Sequence, residues 1–205
     1  MKKMFSAFTA FTALAVVACG DTAAQVVGRP APGFTVADAN GRPVSLSDFR
    51  GRTVVLEWNN PECPFVRKHY GSGNMQRTQA AAARYGAVWL TINSGAPGNQ
   101  GHVNGAQART FVTSAGARPT HYLLDPRGEV GRAYEARTTP HMYIVNGAGT
   151  LVYAGAIDDR PTASPADVEG ARNHVLAALT ELRAGRPVSV PTSRPYGCSV
   201  KYAGS

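Results

Sequence analysis

Residues 54–70 read Val54-Val55-Leu56-Glu57-Trp58-Asn59-Asn60-Pro61-Glu62-Cys63-Pro64-Phe65-Val66-Arg67-Lys68-His69-Tyr70. The first five favour a strand, being mostly β-branched or apolar; Asn59 to Pro61 break it; Pro64 then opens a helical pattern. A strand therefore hands Cys63 to the start of a helix. The unpaired N–H groups and positive dipole end of a helix make such a junction a favourable place for a sulfur anion. Proline suits the first helical position, where its missing N–H costs nothing.

Outward from this stretch, the chain reads as alternating strands and helices. Towards the N-terminus, Phe34 to Ala37 and Val44 to Leu46 flank Asn40-Gly41, a strong β-hairpin signal. Ser47-Asp48-Phe49 reads as one helical turn. Beyond Tyr70, Gly71-Ser72-Gly73 interrupts the helix, which resumes from Asn74 to Arg84. Ala87 to Ile92 is a continuous apolar run of strand length. Ser94 to Gly105, rich in Gly, Asn and Pro, is a loop, and Asn104 to Ala115 carries a short helix. His121 to Leu124 is a strand closed by the turn Asp125-Pro126-Arg127-Gly128. A short helix, Val130 to Tyr134, precedes Thr139-Pro140. His141 to Val145 and Thr150 to Ala154 form a second hairpin. Ser164-Pro165-Ala166-Asp167 has the form of a helix start, and Val168, Ala171, Val175, Leu179 and Leu182 continue at helical spacing to Gly185. Residues 185–205, broken by Pro187, Pro191, Pro195 and Gly197, form an extended tail carrying Cys198.

Composition fits one soluble core: 205 residues, 43% hydrophobic and 17% charged. Residues 1–24 stand apart as an export signal, with Lys2 and Lys3 before an apolar run from Phe5 to Ala18. Val16-Val17-Ala18-Cys19-Gly20 resembles the lipobox of bacterial lipoproteins, which implies lipidation of Cys19, membrane anchoring and a signal ending before that residue. The alternative is ordinary cleavage after Ala18 or Ala24, leaving a free periplasmic protein. In either case only Cys63 and Cys198 remain as redox-capable thiols in an exported chain, where disulfides persist. The net charge of +8 is scattered, mostly as arginine, so no nucleic-acid face is expected. His69, His102, His121, His141 and His174 lack metal-ligand spacing, and neither metal nor cofactor is expected.

The element order, a mixed sheet with helices on both faces, is that of a thioredoxin-like α/β fold. Over residues 28–184 the chain resembles the redoxin, or peroxiredoxin-like, branch of that superfamily. The resemblance rests on Cys63-Pro64, Thr139-Pro140 and the paired strands at 141–154. Asn60 to Tyr70, Ser72 to Gln76, Thr139 to Tyr143 and the terminal Pro195-Tyr196-Gly197-Cys198-Ser199-Val200-Lys201-Tyr202 are similar to a group of exported bacterial redoxin-domain proteins. It implies a cis-proline, Pro140, facing a reactive Cys63, with Thr139 beside it. It also implies a thiol-dependent oxidoreductase reducing peroxides or disulfides and reset by an external thiol reductant.

The sequence departs from the family at several positions. Val66 stands where a second cysteine of Cys-x-x-Cys would be, so a resolving thiol must come from elsewhere; Cys198 is the candidate. Asn60 occupies the place of the peroxiredoxin hydroxyl three residues before the cysteine. Glu62 opposes ionisation of its neighbour, and Arg67, one helical turn on, offsets it. The expectation is a cycle in which Cys63 attacks and Cys198 resolves, with Asn60, Pro64, Arg67, Thr139 and Pro140 supporting thiolate and substrate groove. Two alternatives stay open: thiol-disulfide exchange on periplasmic proteins, and a binding module with a permanent Cys63–Cys198 staple. Such a staple would stabilise the fold by roughly 4–5 kcal/mol.

Overall fold

The computed structural model describes residues 27–204; the export signal and the lipidation expected at Cys19 lie outside the described residues. Strand β3 (Val54–Trp58) is the middle of a five-stranded mixed sheet. It pairs in parallel with β4 (Val88–Asn93), which pairs in parallel with β5 (His121–Leu124). On its other side β3 pairs antiparallel with β7 (His141–Val145), which continues antiparallel to β8 (Leu151–Gly155). This is the thioredoxin-like arrangement.

Alternation along the central strands divides the core. Val54, Leu56, Trp58, Val88, Leu90, Ile92, Tyr143 and Val145 face one side of the sheet. Val55, Trp89, Met142 and Ile144 face the other. Both faces are covered, which is why these strands read as continuous apolar runs. The second face is closed by α1 (Pro64–Gly71), α2 (Asn74–Arg84) and α5 (His174–Arg183), through Val66, Tyr70, Met75, Ala82, Val175, Ala178 and Leu179. The first face is closed by α4 (Glu129–Ala133), through Val130, and by the N-terminal hairpin of β1 (Thr35–Ala37) and β2 (Pro43–Ser45), through Val36 and Val44. A third cluster joins Ala108 of α3 (Gly105–Ser114) to Tyr122. The first hairpin turns where Asn40-Gly41 predicts, with the Asp38 carboxylate accepting from the N–H groups of Asn40 (2.8 Å) and Arg42 (3.0 Å).

One element departs from the sequence expectation. Ser164-Pro165 starts only a 3-10 turn, Pro165–Val168, and the Ser164 side chain caps nothing. Gly170 then adopts φ 72°, and α5 begins afresh at His174, where the Asn173 side chain accepts from Leu176 N–H. The bond from His174 N–H to Ile157 carbonyl (2.9 Å) ties this second start to the end of β8. A later cap anchored to the sheet overrides the earlier local signal.

Candidate active site

The chain leaves β3 through a loop held both by its own polar groups and by neighbouring strands, Asn59 N–H donating to the Ile92 carbonyl (2.8 Å) and its carbonyl accepting from Asn93 Nδ2 (3.0 Å). Asn60 accepts from Glu62 N–H through Oδ1 (2.8 Å), donates through Nδ2 to Gln100 Oε1 (3.1 Å), and its carbonyl accepts from Cys63 N–H (3.0 Å). Cys63 is the N-cap of α1, with extended backbone, and Pro64 is its first residue. Arg67 directs Nε to the Pro61 carbonyl (3.1 Å), bracing the loop rather than reaching the sulfur.

Facing this junction, the Thr139–Pro140 peptide is cis. The Cys63 thiol donates to the Thr139 carbonyl at 3.0 Å. Thr139 lies in the short strand β6 (Thr138–Thr139), whose partner is β9 (Cys198–Ser199) of the tail, with Thr139 directly opposite Cys198. The tail thus delivers the second thiol. The two cysteines are free, and their Sγ atoms stand 2.6 Å apart. Closing to the roughly 2.05 Å of an S–S bond needs a shift of about half an ångström. Gly197 makes this approach feasible: a Cβ there would lie 2.1 Å from the Thr139 carbonyl oxygen.

Cys63 is fully buried, at 0% exposure, whereas Cys198 is half-buried. The cysteine of the tail is therefore the more accessible of the two. Burial, and then the neighbouring Cys63, raise the pKa of the Cys198 thiol. A cleft of about 530 Å³, bordered by Thr138, Asp158, His174, Ser193, Tyr196 and Gly197, opens beside the tail just before Cys198.

The remaining expected site residues fall around this pair. Pro64, Thr139 and Pro140 flank it directly; Asn60 and Arg67 shape the loop. Glu57, which the sequence reading passed over, is fully buried one residue before the end of β3. Its carboxyl receives Asn59 Nδ2 (3.0 Å), Tyr70 O–H (2.9 Å), Trp89 Nε1 (2.9 Å) and Thr91 O–H (3.1 Å). Burial raises its pKa, and those donors offset part of the shift. The one acid in an otherwise apolar strand was the available signal. Asp158, read as a turn or capping residue, is also buried, beside Lys68, His69 and Tyr196. Asp158 also makes the expected turn bond, accepting from Arg160 N–H (3.1 Å), and Asp159 binds the start of the next segment, accepting from Arg172 N–H (3.0 Å). Among the described residues no group of three or more His, Cys, Asp or Glu side chains could hold a metal ion.

Comparison with known proteins gives matches at several levels. The AhpC/TSA family model matches residues 27–154. The thiol-disulfide oxidoreductase ResA of Bacillus subtilis is 25% identical over 132 residues, 61% of this chain; the match spans 64% of that relative's length. An uncharacterised conserved protein from Geobacillus kaustophilus superposes with a TM-score of 0.74 at 27% identity, over 88% of this chain and 94% of its own. A hypothetical protein from Sinorhizobium meliloti 1021 has a TM-score of 0.72 at 24% identity, over 88% of this chain and 96% of its own.

Proposed function

The chain belongs to the AhpC/TSA family, and from that membership we propose that it is a thiol-disulfide oxidoreductase whose redox couple is Cys63 with Cys198. The observation carrying this reading is the meeting of two free thiols, one at the junction of the central strand with α1 and one in the C-terminal tail, 2.6 Å apart beside a cis-proline and at a helix start. The reduced pair exchanges with a substrate disulfide in two steps. One thiolate of the pair attacks a substrate sulfur, forming a mixed disulfide and expelling the first substrate thiolate. The other sulfur of the pair then attacks the protein sulfur of that mixed disulfide and releases the second. The protein is left with a Cys63–Cys198 disulfide. An external dithiol returns the two electrons and two protons.

Disulfides are favoured over peroxides as the substrate class. The name of the Bacillus relative speaks for exchange, and Asn60, in the place of the peroxiredoxin hydroxyl, spends its amide on Glu62 and Gln100. The signal-like residues 1–24 support action outside the cytoplasm, where protein disulfides form, with Cys19 as a lipid anchor if the lipobox is used.

The test is to titrate the reduced protein, Cys63→Ser and Cys198→Ser with an oxidised dithiol and separately with hydrogen peroxide, mapping sulfur bonds by mass spectrometry. We expect one Cys63–Cys198 bond per wild-type chain from the dithiol, reversible with excess reduced dithiol, and a stalled mixed disulfide in at least one single variant. A bond that dithiols cannot reopen makes the pair a structural staple. Peroxide consumption faster than disulfide exchange overturns the substrate class.

A further inference from the structure

Beside the thiol pair lies a set of buried polar groups that the exchange steps leave unused. Lys68 and His69 of α1 and Asp158 after β8 are each at most 1% exposed. Lys68 Nζ donates to the Arg160 carbonyl (2.7 Å) and stands 3.9 Å from Asp158 Oδ2; His69 Nε2 is 4.0 Å from the same oxygen. Buried charges and imidazoles are costly unless partnered, so a cluster of this kind calls for a role.

Its remaining partner comes from the tail. The Tyr196 hydroxyl donates in a short bond to Asp158 Oδ1 and lies 3.0 Å from His69 Nε2. Its ring packs edge-on against Phe65 (5.8 Å between centroids), and Lys68 Nζ sits 5.4 Å from its centre. Asn74 Nδ2 meets His69 Nδ1 at 2.9 Å. With the amide donating there, neutral His69 carries its proton on Nε2 and gives a hydrogen bond to Tyr196, which gives one to Asp158. His69 and Tyr196 then each give and receive one bond, while Asp158 Oδ2 has only the longer charge contacts of Lys68 and His69. Tyr196 is two residues before Cys198, and Gly197 between them allows no slack, since it abuts the Thr139 carbonyl.

We propose that Tyr196 is a positioning residue: seated in the Asp158–Lys68–His69 cluster, it holds Cys198 over Cys63 and so raises the effective concentration of one thiol at the other. This rests on the two cysteines being the redox couple. A tail without the seat explores more conformations in the reduced protein, and closing the disulfide then costs more entropy. The cluster thereby sets the redox potential without touching either sulfur.

The experiment equilibrates wild type, Tyr196→Phe, Asp158→Asn and Ser189→Ala in glutathione buffers and measures the Cys63–Cys198 disulfide by alkylation and mass spectrometry. The reaction is one glutathione disulfide plus two protein thiols giving two glutathiones and the protein disulfide. Tyr196→Phe keeps the ring packing and removes the hydroxyl; we expect the equilibrium constant to fall about tenfold, equivalent to roughly 30 mV towards a more oxidising couple. Asp158→Asn should move it in the same direction. Ser189→Ala cuts one tail bond, from the Ser189 hydroxyl to Glu181 (2.6 Å), remote from the cluster and should shift it less than twofold. Thermal midpoints are recorded alongside. An unchanged potential in Tyr196→Phe, with or without a lowered midpoint, overturns the proposal, as does an equal shift in Ser189→Ala. Should Asp158→Asn misfold, Tyr196→Phe against Ser189→Ala still decides. A wild-type disulfide that glutathione cannot equilibrate defeats the exchange reading itself and is seen before any variant is compared.

Discussion

The two halves of the site are built in opposite ways. Cys63 stands on regular structure: β3 is buried along its whole length, α1 follows directly, and the loop between them is closed by Asn60. Cys198 stands on a segment whose only regular element, among the described residues, is the two-residue β9. That segment is fastened one bond at a time. Ala154 N–H donates to the Pro191 carbonyl (3.1 Å), Ala156 N–H to Ser193 Oγ (2.9 Å), Val200 N–H to the Arg137 carbonyl (3.0 Å) and Ala96 N–H to the Lys201 carbonyl (2.8 Å). Val200 enters the core, and the Tyr202 hydroxyl donates to the Ala136 carbonyl (2.7 Å). An irregular segment can therefore place a thiol to within half an ångström of bonding, provided that anchors flank it on both sides.

Removing one half is the most severe way to break this comparison. Truncation after Gly185 deletes Cys198 with all of its anchors. Exchange should fall to background, and Cys63, now uncovered, should change from inert to readily alkylated by iodoacetamide. Loss of buried Val200 and of half-buried Tyr196 and Tyr202 should cost about 5 kcal/mol in urea denaturation. A truncated protein whose Cys63 stayed protected would mean that the domain, not the tail, buries it.

The same contrast explains which parts were legible in the sequence. Periodicity reports on regular elements, so the apolar strands and the break at Gly71-Ser72-Gly73 were readable, the latter falling between α1 and α2 as expected. Cys63 was legible because its position relative to strand and helix is local. The tail has no period, so Cys198 could be nominated by elimination and by the resemblance of its terminal stretch, but not placed; its pairing with Thr139 depends on contacts distant along the chain. Tyr196 was hidden for the same reason, being defined by side chains from α1 and the end of β8. The misplaced start of α5 shows the converse: Ser164-Pro165 is a good local signal, and the bond from His174 to Ile157 outweighs it.

A milder perturbation adds one methyl group to each half. In Gly197→Ala the new carbon would meet the Thr139 carbonyl oxygen at 2.1 Å, and φ is 138°. In Gly101→Ala it would meet the Asn60 side chain at 2.1 Å, with φ 82°. Both should lose about 3 kcal/mol from overpacking and backbone strain. The difference lies in redox behaviour. Gly197→Ala meets rigid backbone at the cis-proline, so β9 must move away from β6, and disulfide yield in a fixed glutathione buffer should fall sharply. Gly101→Ala displaces the Asn60 amide and its bonds to Glu62 and Gln100 but leaves β6 and β9 in register, so the yield should fall less. Equal yields would show that the two halves of the site are equally tolerant.

The smallest effect separates tail from domain by pH. Burial lowers the pKa of His69 to about 4, an effect that Asp158 opposes and Lys68 reinforces, and burial lowers that of His141 to about 3. Both imidazoles are neutral when folded and bind a proton near pH 6.5 when unfolded. Their contribution is intact above that value and declines as pH falls, because the unfolded chain takes up protons first; the decline ends only at the folded pKa of each. By pH 5 each should have cost about 2 kcal/mol relative to neutral pH. Glu57, whose pKa is raised, acts in the opposite sense: its contribution is full below the unfolded carboxyl value and is lost as pH rises through the folded one. It is common to every variant compared. His69→Gln and His141→Gln should therefore each flatten the fall in stability between pH 7 and 5 by about 2 kcal/mol, read from urea midpoints. Only His69 touches the tail, through Tyr196, whereas Nδ1 of His141 meets the Arg137 N–H (3.3 Å) and the Tyr143 hydroxyl (2.9 Å) within the domain. The two variants should thus match in acid stability and differ in disulfide equilibrium, with His69→Gln moving towards Tyr196→Phe and His141→Gln remaining at wild type. A His141→Gln shift as large as that of His69→Gln would place control of the pair in the sheet rather than in the seat of the tail.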